Sequence, residues 1–119
     1  MKALIVDDEV DICFLLSSIL KQQQLKTSYV HTLAAAKTAL HADPPAILFL
    51  DNHLPDGRGL DFIAEIKQHW PDTKIIMITA HDSPNERRQA REEGADLFIS
   101  KPFSREIIIE SLRSLSIVL

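Results

Sequence analysis

Acidic residues stand at the ends of two short apolar runs in this chain. Asp7 and Asp8 follow the run at residues 2–6, and Asp51 follows five consecutive apolar residues at 46–50. Such runs are typical of strands buried on both faces, and open α/β sheets bind ligands at the carboxyl ends of these strands. Alone, Asp51 could equally begin a turn, because Asp-Asn and Pro-Asp-Gly are ordinary loop sequences. Beside Asp7 and Asp8, it would complete a cluster of carboxylates.

Three carboxylates held together repel one another unless a cation compensates. Mg²⁺ suits such a cluster, because it takes oxygen ligands, usually one or two carboxylates with waters and a phosphate. The spaced acidic loop of an EF-hand, which would favour Ca²⁺, does not occur. Thr79 and Lys101 end two further apolar runs and would place a hydroxyl and a cation around an anion carried on Asp51. A carboxylate nucleophile, Mg²⁺ and two donors are what phosphoryl transfer onto an aspartate requires.

Length and composition fit a single globular domain spanning residues 1–119, with 45% hydrophobic and 25% charged residues. The longest apolar run is far below the ~18 residues of a membrane span, and a strand pattern begins directly at the N-terminus, so neither a membrane segment nor a targeting segment is expected. The formal net charge is −4, without a Lys/Arg cluster, which argues against direct nucleic-acid binding. The single Cys13 fits a reducing compartment, so a cytoplasmic protein with a buried, unreactive thiol is expected.

Hydrophobic periodicity predicts five strands that alternate with five helices. The alternation predicts a parallel sheet between two layers of helices, and the common order for five strands is the flavodoxin-like 2-1-3-4-5. In that order the first and third strands are neighbours, so Asp7, Asp8 and Asp51 would converge. The predicted strands are 2–6, 26–30, 46–50, 74–78 and 95–100. The first predicted helix spans 10–22, the second is capped by Thr32, and the third carries Leu60, Ile63, Ile66 and Trp70 on one face. The fourth helix begins at Ser83-Pro84, with Glu86 completing a capping box, and the fifth is capped by Ser104.

Three of these elements have distinctive patterns. Residues 26–30 alternate as in a half-exposed edge strand. The fourth helix should be the least firmly held, because Ala90 is its only apolar residue between Asn85 and Glu93. The last helix should face the sheet with Ile108, Leu112 and Leu115 and leave Ile107 exposed.

Five ordered motifs at the strand ends resemble the receiver domain of two-component response regulators. The resemblance covers essentially the whole chain, and it implies that Asp51 accepts a phosphoryl group from a phosphohistidine of a sensor histidine kinase or phosphotransfer protein, or from a small phosphodonor. It implies a regulatory domain rather than an enzyme, with self-catalysed phosphoryl transfer and slow autodephosphorylation. The motifs are Asp7-Asp8, Asp51-x-x-Leu54-Pro55-Asp56-Gly57, Thr79-Ala80, Gly94-Ala95-Asp96 and Lys101-Pro102-Phe103.

The resemblance also implies a role for each site residue. Asp8 and Asp51 would ligate Mg²⁺, or alternatively Mn²⁺, while Asp7 acts through water and His53 offers its backbone carbonyl. Lys101 would pair with the aspartate or phosphoryl oxygens, and the Lys101-Pro102 peptide would be cis. Thr79 would turn toward the phosphoryl group and Phe98 would swing inward with it. The face of the fourth helix, fifth strand and fifth helix would then change, and control an output domain, a target protein or a phosphorylation-dependent homodimer.

Residues flanking the acceptor and the switch threonine affect phosphoryl lifetime in such domains, and here they are His53, Ala80 and His81. One possibility is that the two histidines only shape solvent access. The other is that they border the phosphoryl oxygens and make dephosphorylation pH-dependent, and a pH-independent decay rate would contradict this second alternative. Phe98 stands where many relatives have Tyr, so the switch keeps the ring without the hydroxyl. No special role is expected for three surface histidines, which are His31, His41 and His69. Trp70 should cover the end of its helix.

Two other functions remain open from the residues alone. A pseudo-receiver would signal by contact without chemistry, although the complete acidic set argues against it. A phosphatase of the haloacid dehalogenase type would need a second Asp two residues after the nucleophile, where this chain has His53, and a longer chain for a cap domain. Ser/His/Asp hydrolysis fits poorly, because neither a nucleophile elbow nor a glycine-rich phosphate loop occurs. The chain could stand alone or belong to a longer regulator, and its last helix lacks the charged pattern typical of winged-helix regulators.

Overall fold

The computed structural model describes residues 1–117, and five strands form one parallel sheet between helices. With the strands of this sheet counted along the chain, their order is 2-1-3-4-5, which confirms the predicted flavodoxin-like topology. The predicted domain also includes residues 118 and 119, which lie outside the described range. The strands are β1 Lys2–Val6, β2 Lys26–Val30, β3 Ile47–Asp51, β4 Lys74–Thr79 and β5 Leu97–Ser100, and the helices are α1 Val10–Gln22, α2 Leu33–Ala42, α3 Ile63–His69, α4 Pro84–Glu93 and α5 Arg105–Ser114.

Strand register places the ends of β1 and β3 side by side. Val6 pairs with Leu50 in the parallel ladder, so the residues that follow each of them emerge together. On the other side of β3, Asp51 pairs with Ile78, which is the residue before Thr79. The sheet therefore brings the acidic residues and Thr79 to one edge.

The two faces of the sheet are covered by different helices. One buried cluster joins α1 and α5 to residues such as Ile5 and Phe49, and the other joins α2, α3 and α4 to residues such as Leu4 and Leu50. Consecutive residues of β1 and β3 thus enter opposite cores, because strand side chains alternate between faces. This confirms that these strands are buried on both sides.

Several predicted boundaries were wrong by one or two residues. Asp51 is the last residue of β3 rather than the first residue after it, and Thr79 likewise closes β4. The fifth strand begins at Leu97 instead of Ala95, because the Asp96 carboxylate accepts the Ile75 N–H at 2.8 Å and the segment before β5 is therefore a connection. Two short elements were not predicted, an antiparallel pair between His53–Leu54 and Gly57–Arg58 and a 3₁₀ turn at Gly59–Phe62.

The predicted N-caps are confirmed for three helices. The hydroxyl oxygens of Thr32, Ser83 and Ser104 accept the backbone N–H groups of the residues three positions later, at 3.0–3.1 Å. Within residues 1–117 the Ser83 half of the capping box is present, whereas Glu86 Oε2 is buried without a hydrogen-bond partner. A further cap is not apparent from the sequence: Asp56, in the loop after β3, accepts the N–H groups of Leu33 and Ala34 at 2.8 and 2.9 Å.

The distinctive elements behave as their patterns indicate. β2 is an edge strand, Ala90 is the one buried residue of α4, and Ile107 is exposed on α5. On α5, Ile108 and Leu112 are buried, and Leu115 is half-buried against the same cluster. Within the described part of the chain, no helix combines the length and apolarity that crossing a membrane requires.

Candidate functional site

The carboxylates of Asp7, Asp8 and Asp51 converge at the carboxyl edge of the sheet. One oxygen from each lies within 4.8 Å of the others. Asp7 and Asp51 are buried at the ends of β1 and β3, whereas Asp8 is exposed to solvent. The predicted convergence is therefore present, and the cluster is open to solvent on the side of Asp8.

Lys101, which follows β5, supplies the positive charge of the cluster. Its Nζ atom lies 2.8 Å from Asp7 Oδ2, 3.2 Å from Glu9 Oε1 and 3.6 Å from Asp51 Oδ2. Burial alone would lower the pKa of Lys101, but the ion pair with Asp7 and the charge of Asp51 raise it above the usual value. The Lys101-Pro102 peptide bond is cis. Glu9, the residue after Asp8, had no predicted role and is a further partner of this lysine.

Burial makes Asp51 an unusual carboxyl group. Desolvation, and secondly the charge of Asp7, raise the pKa of Asp51 to about 6, although Lys101 and backbone N–H groups act in the opposite direction. An ionised carboxylate in this position is costly because little water reaches it and another anion is close. The site therefore gains free energy from any cation that binds near Asp51.

The donor set suits a hard divalent cation. All three clustered side chains offer carboxylate oxygens. Within the described part of the chain, Asp7 Oδ2 has its ion pair with Lys101 but no partner in hydrogen-bond geometry. Asp7 Oδ1 already accepts the Glu9 N–H at 2.9 Å, which fixes the orientation of the side chain. Oxygen ligands of this kind match Mg²⁺ or Mn²⁺, whereas softer metals favour nitrogen and sulfur.

The two residues expected to act as the switch lie on β4 and β5. Thr79 is buried, and its hydroxyl oxygen accepts the His81 N–H at 3.1 Å. Phe98 is half-buried, and the guanidinium carbon of Arg87 lies 4.8 Å from its ring centroid. Ala80 is exposed beside the site. Each of the two side chains is therefore held by a contact that any movement of it would have to break.

Histidines surround the site more closely than the sequence indicated. His53 and His81, both exposed, contact each other with ring centroids 4.5 Å apart. His31, expected to have no special role, donates from Nδ1 to the Asp7 carbonyl oxygen at 2.9 Å, and the Cys13 thiol donates to the same oxygen at 3.3 Å. Cys13 is buried, as predicted, and burial raises the pKa of its thiol to about 11, which disfavours the reactive thiolate.

The remaining two histidines lie far from the acidic cluster. His41 and His69 contact the ring of Trp70, with ring centroids 4.9 and 5.6 Å from it. Trp70 is the C-terminal capping residue of α3 and is partly buried against the core, as expected for a residue that covers the end of its helix.

Gly59 should be indispensable to the backbone geometry of Asp51. A Cβ atom at this position would lie 2.3 Å from the Asp51 carbonyl oxygen, so backbone must move. We expect Gly59→Ala to destabilise the chain by roughly 1–3 kcal/mol, as overpacking does, and to displace Asp51. Thermal unfolding should show a lowered Tm. Gly57→Ala is a matched comparison: its Cβ would meet the side-chain end of Leu33 at 3.0 Å, although its positive φ adds strain. Equal and small losses of stability in both variants would contradict this prediction.

Comparison with known proteins assigns the chain to a family. Residues 3–113 match the family model of the response regulator receiver domain. The chain is similar to the response regulator protein PilR of Pseudomonas aeruginosa, at 40% identity over 94% of this chain and 26% of PilR, and to the photosynthetic apparatus regulatory protein RegA of Rhodovulum sulfidophilum, at 31% over 93% of this chain and 61% of RegA. The solution structure of the beryllofluoride-activated NtrC4 receiver domain dimer is also similar, with a TM-score of 0.90 and 34% identity over 95% of this chain and 93% of that one.

Proposed function

Because this chain belongs to the family of response regulator receiver domains, we propose that it is a signalling domain that accepts a phosphoryl group on Asp51. The observation that carries the proposal is the position of this carboxylate, buried between Asp7 and Lys101 and within reach of the exposed Asp8. Phosphoryl transfer onto a carboxylate needs mainly positioning and charge neutralisation, which this arrangement supplies. A general base is unnecessary, because the nucleophile is already an anion.

The reaction is a simple exchange of bonds to phosphorus. An oxygen of Asp51 attacks the phosphorus atom, and the bond to the leaving group breaks; the leaving group is an imidazole nitrogen of a phosphohistidine or the acetate of acetyl phosphate. Lys101 Nζ, 3.6 Å from Asp51 Oδ2, is placed to contact a phosphoryl oxygen. Asp8 and Asp51 would hold Mg²⁺ or Mn²⁺ directly, Asp7 through water and His53 through its carbonyl oxygen. When bound, such an ion would neutralise charge on the phosphoryl oxygens.

The phosphorylated state would be read by a face of the molecule away from the acidic cluster. Thr79 would donate its hydroxyl to the phosphoryl group, and Phe98 would move toward the space that it leaves. This movement would alter the surface of α4, β5 and α5, which carries the signal to an output domain or target protein. PilR and RegA are longer than this chain, and the NtrC4 receiver is a dimer, so an attached output domain and a phosphorylation-dependent homodimer both fit.

A sensor histidine kinase or histidine phosphotransfer protein would be the phosphodonor. The donor must contact the surface near Asp51, and α1 with the neighbouring β2 exposes four large apolar side chains on this part of the molecule. The negative net charge and the absence of a Lys/Arg cluster disfavour direct DNA or RNA contact by this domain. A buried, reduced Cys13 fits a cytoplasmic setting. The exposed apolar side chains are those of Val10, Phe14, Leu15 and Tyr29.

A phosphorylation assay with small donors tests the proposal directly. The protein is incubated with acetyl phosphate or phosphoramidate and Mg²⁺, and its intact mass is measured with time. We expect one phosphoryl adduct for each chain, stable long enough to map to Asp51 and lost slowly by autodephosphorylation. Omission of the phosphodonor provides the background.

Other outcomes of this assay would favour other functions. Absence of an adduct on folded, Mg²⁺-loaded protein would support a pseudo-receiver that acts by contact. Rapid turnover of phosphate monoesters would support an aspartate-nucleophile phosphatase. Either result would overturn the proposed function.

A further inference from the structure

A ring of hydrogen bonds joins the loop after β4, the first turns of α4 and the end of β5. The Arg87 guanidinium binds the Asp82 carboxylate with two bonds, Nε to Oδ1 at 2.5 Å and Nη2 to Oδ2 at 2.9 Å. The Ser100 hydroxyl donates to the same Oδ2 at 2.5 Å, and Arg87 Nη2 donates to Ser100 Oγ at 3.3 Å. Three elements are thereby tied together at one point.

The same arginine contacts the aromatic residue of the proposed switch. Its guanidinium carbon lies 4.8 Å from the centroid of the Phe98 ring, which is the geometry of a cation–π contact. Because Asp82 and Ser100 hold the guanidinium by its fork of donors, Arg87 cannot follow Phe98 without breaking several hydrogen bonds. Movement of the ring therefore requires that this network opens or that the cation–π contact is lost.

The network is also connected to the switch threonine. Thr79 Oγ1 accepts the N–H of His81, and Asp82 is the next residue of the loop. A rotation of the Thr79 hydroxyl toward Asp51 would break this hydrogen bond and disturb the backbone that carries Asp82. Both residues of the switch are thus restrained by the same loop.

The contribution of this network to holding α4 should be large, because little else holds the helix. Ala90 is its one buried residue, so apolar burial provides weak attachment. Isolated surface ion pairs contribute little, but a bidentate arginine within a network is the exception. The hydrogen bond from Arg87, followed by that from Ser100, lowers the pKa of Asp82 to about 2, so the carboxylate is ionised at neutral pH.

We propose that Asp82, Arg87 and Ser100 form a latch that holds α4 and Phe98 in the conformation of this structure and opposes phosphorylation of Asp51. The latch rests on the proposed function, since it acts on the residues that the phosphoryl group would move. When only a fraction of the molecules is in the binding-competent conformation, the apparent affinity for the ligand is reduced by that fraction. Loss of the latch should therefore strengthen binding of a phosphoryl analogue.

Beryllofluoride binding in the presence of Mg²⁺ measures this coupling. We expect Arg87→Gln to bind beryllofluoride roughly three- to tenfold more tightly than the wild type in titrations followed by ¹H–¹⁵N NMR. The α4 amides of this variant should also exchange hydrogen faster before beryllofluoride is added. Arg88→Gln is the matched control and should behave as the wild type, because among residues 1–117 the side chain of this neighbouring arginine bonds only Asn85 of its own helix, at 3.0 Å.

The results separate the latch from the function beneath it. Equal affinities for Arg87→Gln and Arg88→Gln, or weaker binding by Arg87→Gln, would overturn the latch. Failure of the wild type to bind beryllofluoride would overturn the proposed function instead. Ser100→Ala protects the test if Arg87→Gln does not fold: it removes one member of the ring and should also tighten binding, whereas unchanged affinity would again overturn the latch.

Discussion

Replacement of Asp51 by asparagine should abolish the phosphoryl adduct and, at the same time, make the metal-free protein more stable. The amide has no carboxylate oxygen with which to attack phosphorus, so the loss of adduct should be complete in intact-mass measurements with acetyl phosphate and Mg²⁺. The gain in stability follows from burial, because the wild-type chain must hold an ionised carboxylate out of water beside Asp7. Lys101 retains ion pairs with Asp7 and Glu9 in the variant.

The gain in stability should depend on pH in a defined direction. The pKa of Asp51 is raised from an ordinary 3.8 to about 6 in the folded chain, so the folded state holds a proton that the unfolded state has already released. The wild type therefore loses stability as the pH rises between these two values, and the loss is complete above about 6. A pKa shift of this size corresponds to about 3 kcal/mol in the free energy of unfolding. Asp51→Asn should recover this free energy in thermal unfolding with EDTA at a pH above the folded-state pKa of Asp51.

Asp72→Asn is the control for both measurements. It removes the same charge from an exposed position before β4, at the opposite edge of the sheet. It should form the wild-type adduct and keep the wild-type dependence of stability on pH. An adduct on Asp51→Asn would identify a different acceptor, and a variant less stable than the wild type in EDTA would contradict the cost assigned to the buried carboxylate.

Removal of the divalent cation should be as damaging to phosphorylation as removal of the nucleophile. Without Mg²⁺, the negative charges of Asp7, Asp8 and Asp51 repel an incoming phosphoryl donor, and Lys101 alone must offset them. We expect EDTA to reduce the rate of adduct formation to background. Mg²⁺ should also raise the Tm of the wild type, because a ligand that binds only the folded state stabilises it by mass action.

Asp8→Asn tests which carboxylate holds the ion. Asp8 is the exposed member of the cluster, so the substitution should leave the core intact while it raises the Mg²⁺ concentration needed for half-maximal phosphorylation by at least about tenfold, equivalent to about 1.4 kcal/mol. Asp11→Asn, an exposed acid in the first turn of α1 outside the cluster, should keep the wild-type Mg²⁺ dependence. Equal Mg²⁺ dependence in both variants would show that Asp8 is not a ligand.

The sequence alone was sufficient for the sheet and for the positions of its acidic residues. Unbroken apolar runs and helical periodicity are local patterns, and the handedness of βαβ crossovers leaves few ways to join them. Once the first and third strands are neighbours, Asp7 and Asp51 must lie close together, because the carboxyl ends of parallel strands are at the same edge of the sheet. The weak attachment of α4 was likewise visible, since it follows from a count of apolar residues.

Tertiary structure decided the contacts that depend on distance rather than on pattern. The cap on α2 by Asp56, the bond from His31 to the Asp7 carbonyl and the ring around Arg87 each join residues from separate elements. Exposed polar residues have no periodicity that would reveal such partners, because the residue type is the same whether its charge is solvated or paired. Tertiary structure also sets the pKa of Asp51: the residue is an ordinary aspartate in the sequence, and desolvation in the folded sheet, followed by the charge of Asp7, raises its pKa to about 6.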